Sequence, residues 1–389
     1  MRKVLHSMAD YFSRTDKIFW LISLLTTAYG LILIYSVTRA GGNFFRTQVM
    51  AVTLGYIAAV IVSLMNYEFI AKLWPVIAGV CIGLIFLTYF VGRNITGTDD
   101  TAWLTLPGGI SFQPAELVKI GFIITFSKHL AVLKEREKLH SFPQVCLLAV
   151  HALIPIALVH FQGDDGTALV FAFMFLIMCF AAGIQLRYFF IVFAAAAAGI
   201  PFIWNVFMHD EQRSRFLALL DLDANSMGKG YQQYQGKISI ASGELTGRGL
   251  FNGPRVDRSS VPFQENDFIF TVAGEELGFI GCVLVLGLLL LLMLRALQNA
   301  ASSKDALGKY ICVGFFSMIA TQTCINIGMV LGLIPVIGIT LPFFSAGGSS
   351  VACLYLGVGL VESVHMHQYA SDKVSLNLQA RRDISLSRG

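Results

Sequence analysis

The sequence predicts an all-α integral membrane protein with about ten transmembrane helices and a large extracytoplasmic loop between helices 7 and 8. Three observations carry that reading. The 389 residues are 56% hydrophobic and only 13% charged, about half the charge density of a soluble domain. The apolar residues fall in runs of roughly 18 to 25, enough for a helix to cross a hydrocarbon core of about 30 Å. The runs are continuous, whereas a membrane barrel alternates over segments of about ten residues.

In chain order the runs lie near 18–38, 46–65, 74–92, 114–133, 143–161, 166–185, 188–207, 268–295, 309–335 and 349–367. The first follows a segment that includes acids and ends without a small-residue cleavage site, so it reads as a retained span and not a signal peptide. Residues 1–17 form a cytoplasmic N-terminal segment, 18–367 one polytopic membrane domain, and 368–389 a polar, loose cytoplasmic tail. Orientation follows from the short loops. One set of loops and tails holds Arg2, Lys3, Arg14, Lys17, Lys72, Lys128, Lys134, Arg136, Lys138, Arg187, Arg295, Lys304, Lys309, Lys373, Arg381, Arg382 and Arg388, whereas the opposite short loops hold only Arg39, Arg46 and Arg93. Both termini are therefore expected in the cytoplasm. The net charge of +4 reflects this sidedness, and nothing in it points to nucleic acid.

Three outer segments stand out, at 93–113, 208–266 and 336–348. A loop beyond about 15 residues is usually functional or disordered. The longest keeps Phe216, Leu217, Leu219, Leu220, Ile238, Ile240 and Leu250 among its glycines and charges, so parts of it are expected to lie on or dip into the membrane. No internal repeat is evident, which weakens a transporter built from two matching halves. The seven cysteines form no CxxC pair and sit in or beside apolar runs, where they read as small packing residues. The eight histidines show no ligand spacing.

Ionisable groups within a membrane are costly and point to function. Glu116 and Lys119 follow Pro114, which suits a helix start, and their spacing puts them on one face. The pair either caps and compensates itself or seats a phosphate. Asp267 lies between a wet loop and an apolar run, where partial desolvation suits a general base; on composition alone the plainer reading, a cap for the helix that follows, comes first. Glu275 and Glu276 lie two turns deeper, and as neighbours they face different sides. Asp164-Asp165-Gly166-Thr167 opens the sixth run, as a site or as a capped start. Phe344 to Ser350 places Gly347 and Gly348 before Ser349 at the tenth, either an anion-binding turn or an ordinary one. Arg213 and Arg215 are interfacial anchors or ligands for a diphosphate.

From about residue 103 to 350 the sequence resembles the SEDS family (shape, elongation, division and sporulation), the RodA/FtsW/SpoVE type of peptidoglycan polymerase. The resemblance rests on Phe112-Gln113-Pro114-Ala115-Glu116-Leu117-Val118-Lys119, on Asp164-Asp165-Gly166-Thr167, and on Gly230-Tyr231-Gln232 with Ser242-Gly243. It continues through Asp267-Phe268-Ile269-Phe270 with Gly274-Glu275-Glu276-Leu277-Gly278, and through Asn326-Ile327-Gly328-Met329 to Leu341–Ser350. Departures are Ala102 for an arginine before Trp103, Gln162-Gly163 ahead of Asp164, Phe263 and Glu265 upstream of Asp267, and Glu244 for a glycine.

The resemblance implies an inverting glycosyltransferase of the bacterial cytoplasmic membrane that polymerises lipid II, an undecaprenyl-diphosphate-linked disaccharide peptide, at the outer face. Asp267 would be the general base. Glu116, Lys119, Asp164, Thr167, Arg215, Gln232, Ser242, Glu276, Asn326, Ser345, Gly347, Gly348 and Ser349 would line the substrate site. No cofactor is certain, but a divalent cation (Mg or Mn) near Glu116 could share the leaving group's charge with Lys119 or Arg215. The implied partner is a class B penicillin-binding protein transpeptidase, beside membrane lipids. A lipid II flippase or a non-catalytic cell-wall scaffold would share much of this layout, and Asp267 discriminates them.

Overall fold

The computed structural model describes residues 11–39, 44–92, 102–106, 110–208, 210–220, 227–228 and 230–386. Arg2, Lys3, Arg93 and Arg388 of the charge-sidedness reading lie outside the described residues. The architecture is a helical bundle, and each of the ten apolar runs is a helix. These are α1 (Lys17–Thr38), α2 (Phe44–Leu64), the short α3 (Tyr67–Lys72), α4 (Trp74–Val91), α5 (Pro114–Glu135), α6 (Phe142–His160), α7 (Asp165–Ala182) and α8 (Leu186–Phe202). After the outer loop come α12 (Ile269–Ser302), α13 (Ala306–Val330) and α14 (Gly348–Leu386). Among the described residues nine helices are long and apolar enough to cross a membrane. α5 is as long, but it carries Glu116, Lys119, Lys128, Lys134 and Glu135.

Local chemistry places the helix ends. Asp16 accepts from Phe19 N at the start of α1, Asp164 from Thr167 N at α7 and Asp305 from Gly308 N at α13, each taking an otherwise orphaned donor. Prolines occupy the first turn of α4, α5 and α6, where no donor is lost. α14 does not stop at the membrane boundary but continues through the polar tail to Leu386, where a loose segment was expected. No proline or glycine interrupts 360–388, so nothing in the tail terminates the helix.

The bundle has an inside and an outside. Most of the apolar window of α13 (78%) and of α14 (83%) is buried, against 17% for α4 and none for α8. Small residues let helices approach: a Cβ on Gly359 of α14 would lie 2.6 Å from the Ala59 carbonyl oxygen of α2. α12 breaks at Gly278 (φ 65, ψ −157), a conformation that needs glycine. The break would orphan backbone groups inside the membrane. Loop residues restore them: Arg248 N and Gly249 N donate to the carbonyls of Glu275 and Glu276, and Phe279 N and Ile280 N donate to Glu244 and Leu245.

The described residues of the long loop between α8 and α12 carry regular structure. They form α9 (Asp210–Leu220), α10 (Tyr231–Ser242) and α11 (Pro254–Asp257). α10 docks on the bundle, with Gly236 against Phe268 and Thr271, and Gln233 donating to the carbonyls of Met329 and Ile334 at 2.7 Å. Ahead of α5, β1 (Leu104–Leu106) and β2 (Ile110–Phe112) form an antiparallel pair, Leu104 opposite Phe112, that delivers the chain to Gln113.

Candidate active site

Four helices begin at one end of the bundle. Gln113, just before α5, donates through Nε2 to Asp164 of α7 at 2.7 Å, and its backbone N–H reaches Ser349 Oγ of α14 at 3.4 Å. Ala346 N, before α14, donates to Glu265 O at 2.8 Å, two residues ahead of Asp267 and the start of α12. The N-termini of α5, α7, α12 and α14 therefore converge, and each contributes partial positive charge. Gly166 makes the convergence tight, since a Cβ there would lie 2.4 Å from the Ile337 carbonyl oxygen.

Asp267 sits in this cluster. The first residue of its helix is preceded by Phe268, and no side chain caps that end, so the capping alternative for Asp267 falls. Its backbone carbonyl accepts from Asn326 Nδ2 at 2.7 Å, and the same amide donates to Ile339 O at 2.6 Å. Asn326 thus clamps the base to the 331–347 loop. Gly338 (φ 69) passes beneath the carboxylate, with its Cβ position 3.7 Å from Oδ2. Burial, then the negative charges of Glu265 and Asp164, push the Asp267 carboxyl from 3.8 up to about 7. All three causes disfavour the anion, and the result is a base poised near neutral pH.

The other sequence-predicted residues sort by what they touch. Glu116 and Lys119 form a buried ion pair at 2.7 Å, and Glu116 Oε2 also accepts from Ser350 at 3.1 Å. Lys119 is 1% exposed and committed to Glu116. A divalent cation does not fit at Glu116 in this arrangement, because the Lys119 ammonium and the Ser350 hydroxyl hold its two oxygens. Arg215 is exposed on α9, and its Nη1 donates to Val336 O at 3.3 Å, which places it beside the loop that carries Gly338. Asp164 both caps α7, through Thr167 N, and receives Gln113.

Several of the residues expected to line the substrate site hold backbone groups in this structure. Ser345 Oγ donates to Asn266 O at 2.7 Å and accepts from Leu341 N at 2.8 Å. Gln232 donates to Pro262 O at 2.7 Å, steadying the approach to Asp267. Ser242 bonds back to Ser239 O within α10, and Gly347 N donates to Gln48 Oε1 at 3.0 Å. Gly348 opens α14 beside Thr47 and Ala51. Glu276 lies apart: it is fully buried, its Oε1 accepts from Ser36 of α1 at 2.6 Å, and Gly253 packs on its Cγ.

Sequence reasoning missed Gln48, Gln113, Gln233 and Ser350 as individual contributors. The first was detectable as a lone amide inside an apolar run, the kind of group that needs a partner within the bundle. It also read the histidines as scattered, whereas His129 and His151 approach to 3.1 Å between their Nδ1 atoms, on α5 and α6.

A family model for the FtsW/RodA/SpoVE cell cycle protein matches residues 16–370. The chain belongs to this family. It is 31% identical over 354 residues to the peptidoglycan glycosyltransferase MrdB of Escherichia coli K12, covering 91% of this chain and 94% of that protein. It is 29% identical over 368 residues to a probable peptidoglycan glycosyltransferase FtsW of Geobacter sulfurreducens, covering 90% and 95%. Among solved structures it resembles a chain of a peptidoglycan synthase complex described for its coordination of polymerization and crosslinking, with TM-score 0.78, 29% identity and coverage of 91% and 98%. It also resembles the Thermus thermophilus rod shape determining protein RodA, with TM-score 0.68, 27% identity and the same coverage. The all-helical membrane fold of the family is the fold described above.

Proposed function

We propose that the chain is a peptidoglycan glycosyltransferase that polymerises lipid II at the outer face of the bacterial cytoplasmic membrane, with Asp267 as its general base. The observation that carries the reading is the half-buried Asp267 carboxylate, uncapped and held near neutral pKa where four helix N-termini meet. The glycosyltransferase activity for which the relatives are named, matched over nearly their whole length, supports it.

In this reading Asp267 takes the proton from the 4-hydroxyl of the acceptor's N-acetylglucosamine. The oxygen attacks C1 of the donor's N-acetylmuramic acid with inversion, and undecaprenyl diphosphate leaves. Negative charge then develops on the diphosphate. The converging helix N-termini and Arg215, which has donors beyond the one given to Val336, lie on the side where that charge appears. Lys119 acts indirectly, neutralising Glu116 and so fixing Ser350 and the start of α14. α5 crosses the membrane as a tenth span, with its ion pair buried against α14. Charge sidedness puts both termini in the cytoplasm and the site outside. A class B penicillin-binding protein is the proposed crosslinking partner, supported by the likeness to the synthase complex.

The test is reconstitution of the purified chain with lipid II, alone and with a cognate transpeptidase, followed by gel separation and linkage analysis of the product. Glycan strands with inverted linkage support the reading. Lipid II that changes leaflet but never polymerises, in either sample, replaces it with transport.

A further inference from the structure

At the end of the bundle away from Asp267, a groove of about 520 Å³ opens between α1 and α2. The placement is fixed by Asp16: it accepts from Arg295 Nε at 2.7 Å and from Asn299 at 3.0 Å, near the far end of the helix that Asp267 precedes. Phe12, Trp20, Leu24, Tyr56, Val60 and Leu64 line the groove. Tyr11 closes its end by bonding Ser63 at 2.9 Å. We infer that this groove seats one acyl chain of an anionic glycerophospholipid, with the headgroup beside Lys17 and Arg14.

Depth and charge select that occupant. The lining runs from Tyr56 to Leu64 on α2 and from Lys17 to Leu24 on α1. At 1.5 Å per residue each stretch is roughly 12 Å long, close to one leaflet's half of a hydrocarbon core of about 30 Å. A spanning partner helix would need a seat twice as deep, and one lined by small residues; this lining is aromatic and branched. Lys17 lines the groove and is exposed, Arg14 is exposed three residues before it, and the intervening acid, Asp16, is 2% exposed and held by Arg295. The exposed rim therefore presents positive charge, the complement of a phosphodiester. Tyr11 and Trp20 add the amphipathic rings that favour the headgroup boundary.

Trp20 is the reporter. The chain has four tryptophans, and Trp74→Phe, Trp103→Phe and Trp204→Phe together leave Trp20 alone. The full-length protein is placed in vesicles of equal phosphatidylglycerol and phosphatidylcholine, with bromine on the acyl chains of one lipid or the other. Trp20 lines the groove, so bromine on a chain seated there lies against its indole. Brominated phosphatidylglycerol is expected to quench with a relative binding constant several-fold above that of phosphatidylcholine, at roughly five-fold per basic residue near the surface. Arg14→Gln with Lys17→Gln brings the ratio to about one while quenching persists. Val60→Phe with Leu24→Phe fills the groove and reduces quenching by both lipids, with an unchanged thermal midpoint showing that the fold survives. A ratio of one in the starting protein overturns the inference. So does quenching that appears only when residues 2–10 are deleted, which would make this chain's own N-terminus the occupant.

Discussion

Replacing Asp267 by Asn should make the protein more stable, and by an amount that depends on pH. The carboxyl is raised from 3.8 to about 7 in the folded chain by burial and by the charges of Glu265 and Asp164. A raised acid binds its proton more tightly folded than unfolded, so stability falls as pH climbs from the unfolded to the folded value and is flat above. About three pH units at 1.36 kcal/mol each is about 4 kcal/mol of destabilisation, fully expressed above pH 7. Near pH 4 only about 0.5 kcal/mol of it remains. Asn mimics the protonated side chain, so Asp267→Asn should gain up to about 4 kcal/mol at pH 8 and almost nothing at pH 4. Thermal unfolding of the purified protein in one detergent, at pH 4, 6 and 8, reads the difference. A variant no more stable than its parent at pH 8, or a gain of equal size at all three values, would refute the argument that burial and like charge perturb this carboxyl.

Other expectations follow from named contacts. Lys119→Met leaves Glu116 buried without its cation and should cost about 3–5 kcal/mol, whereas Lys119→Met with Glu116→Gln should recover most of it; thermal midpoints of the singles and the double give the coupling. Gly278→Ala forces a Cβ to 2.4 Å from Gly247 N at a backbone conformation closed to alanine, so a loss of at least about 3 kcal/mol is expected from the same assay. Glu244 stands in the left-handed region (φ 49) with an exposed side chain, and only its backbone serves the α12 break; Glu244→Gly should raise stability by about 1 kcal/mol.

Much of this was legible in the residues. Run length and charge sidedness are local properties, so the helical membrane bundle and its ten apolar helices could be read without contacts. Asp267 was legible as a carboxylate at a wet–apolar boundary, but whether it capped α12 was not, because Phe268 takes the N-cap position and that choice is made by backbone geometry. The roles of Asn326 and Ser345 were hidden for a different reason: their partners, Asp267 O, Ile339 O and Asn266 O, are main-chain groups that no side-chain pattern announces. The break at Gly278 was hidden too. A glycine in an apolar run reads as helix, and only the loop at 244–249, brought in from about thirty residues upstream, makes the broken ladder affordable. The burial of Lys119 against Glu116 was hidden as well, because spacing shows which face a residue shares, not how deeply that face is buried.

The most direct test is the pH dependence of glycan-strand formation from purified lipid II, measured in a single turnover for the parent chain and for Asp267→Asn. The account predicts a rate that rises tenfold per pH unit below about 7, levels above it, and drops by about 10²–10⁴ at every pH in the folded Asn variant. Polymerisation by the Asn variant at the parent rate, or a parent profile flat through pH 7, would contradict Asp267 as the base.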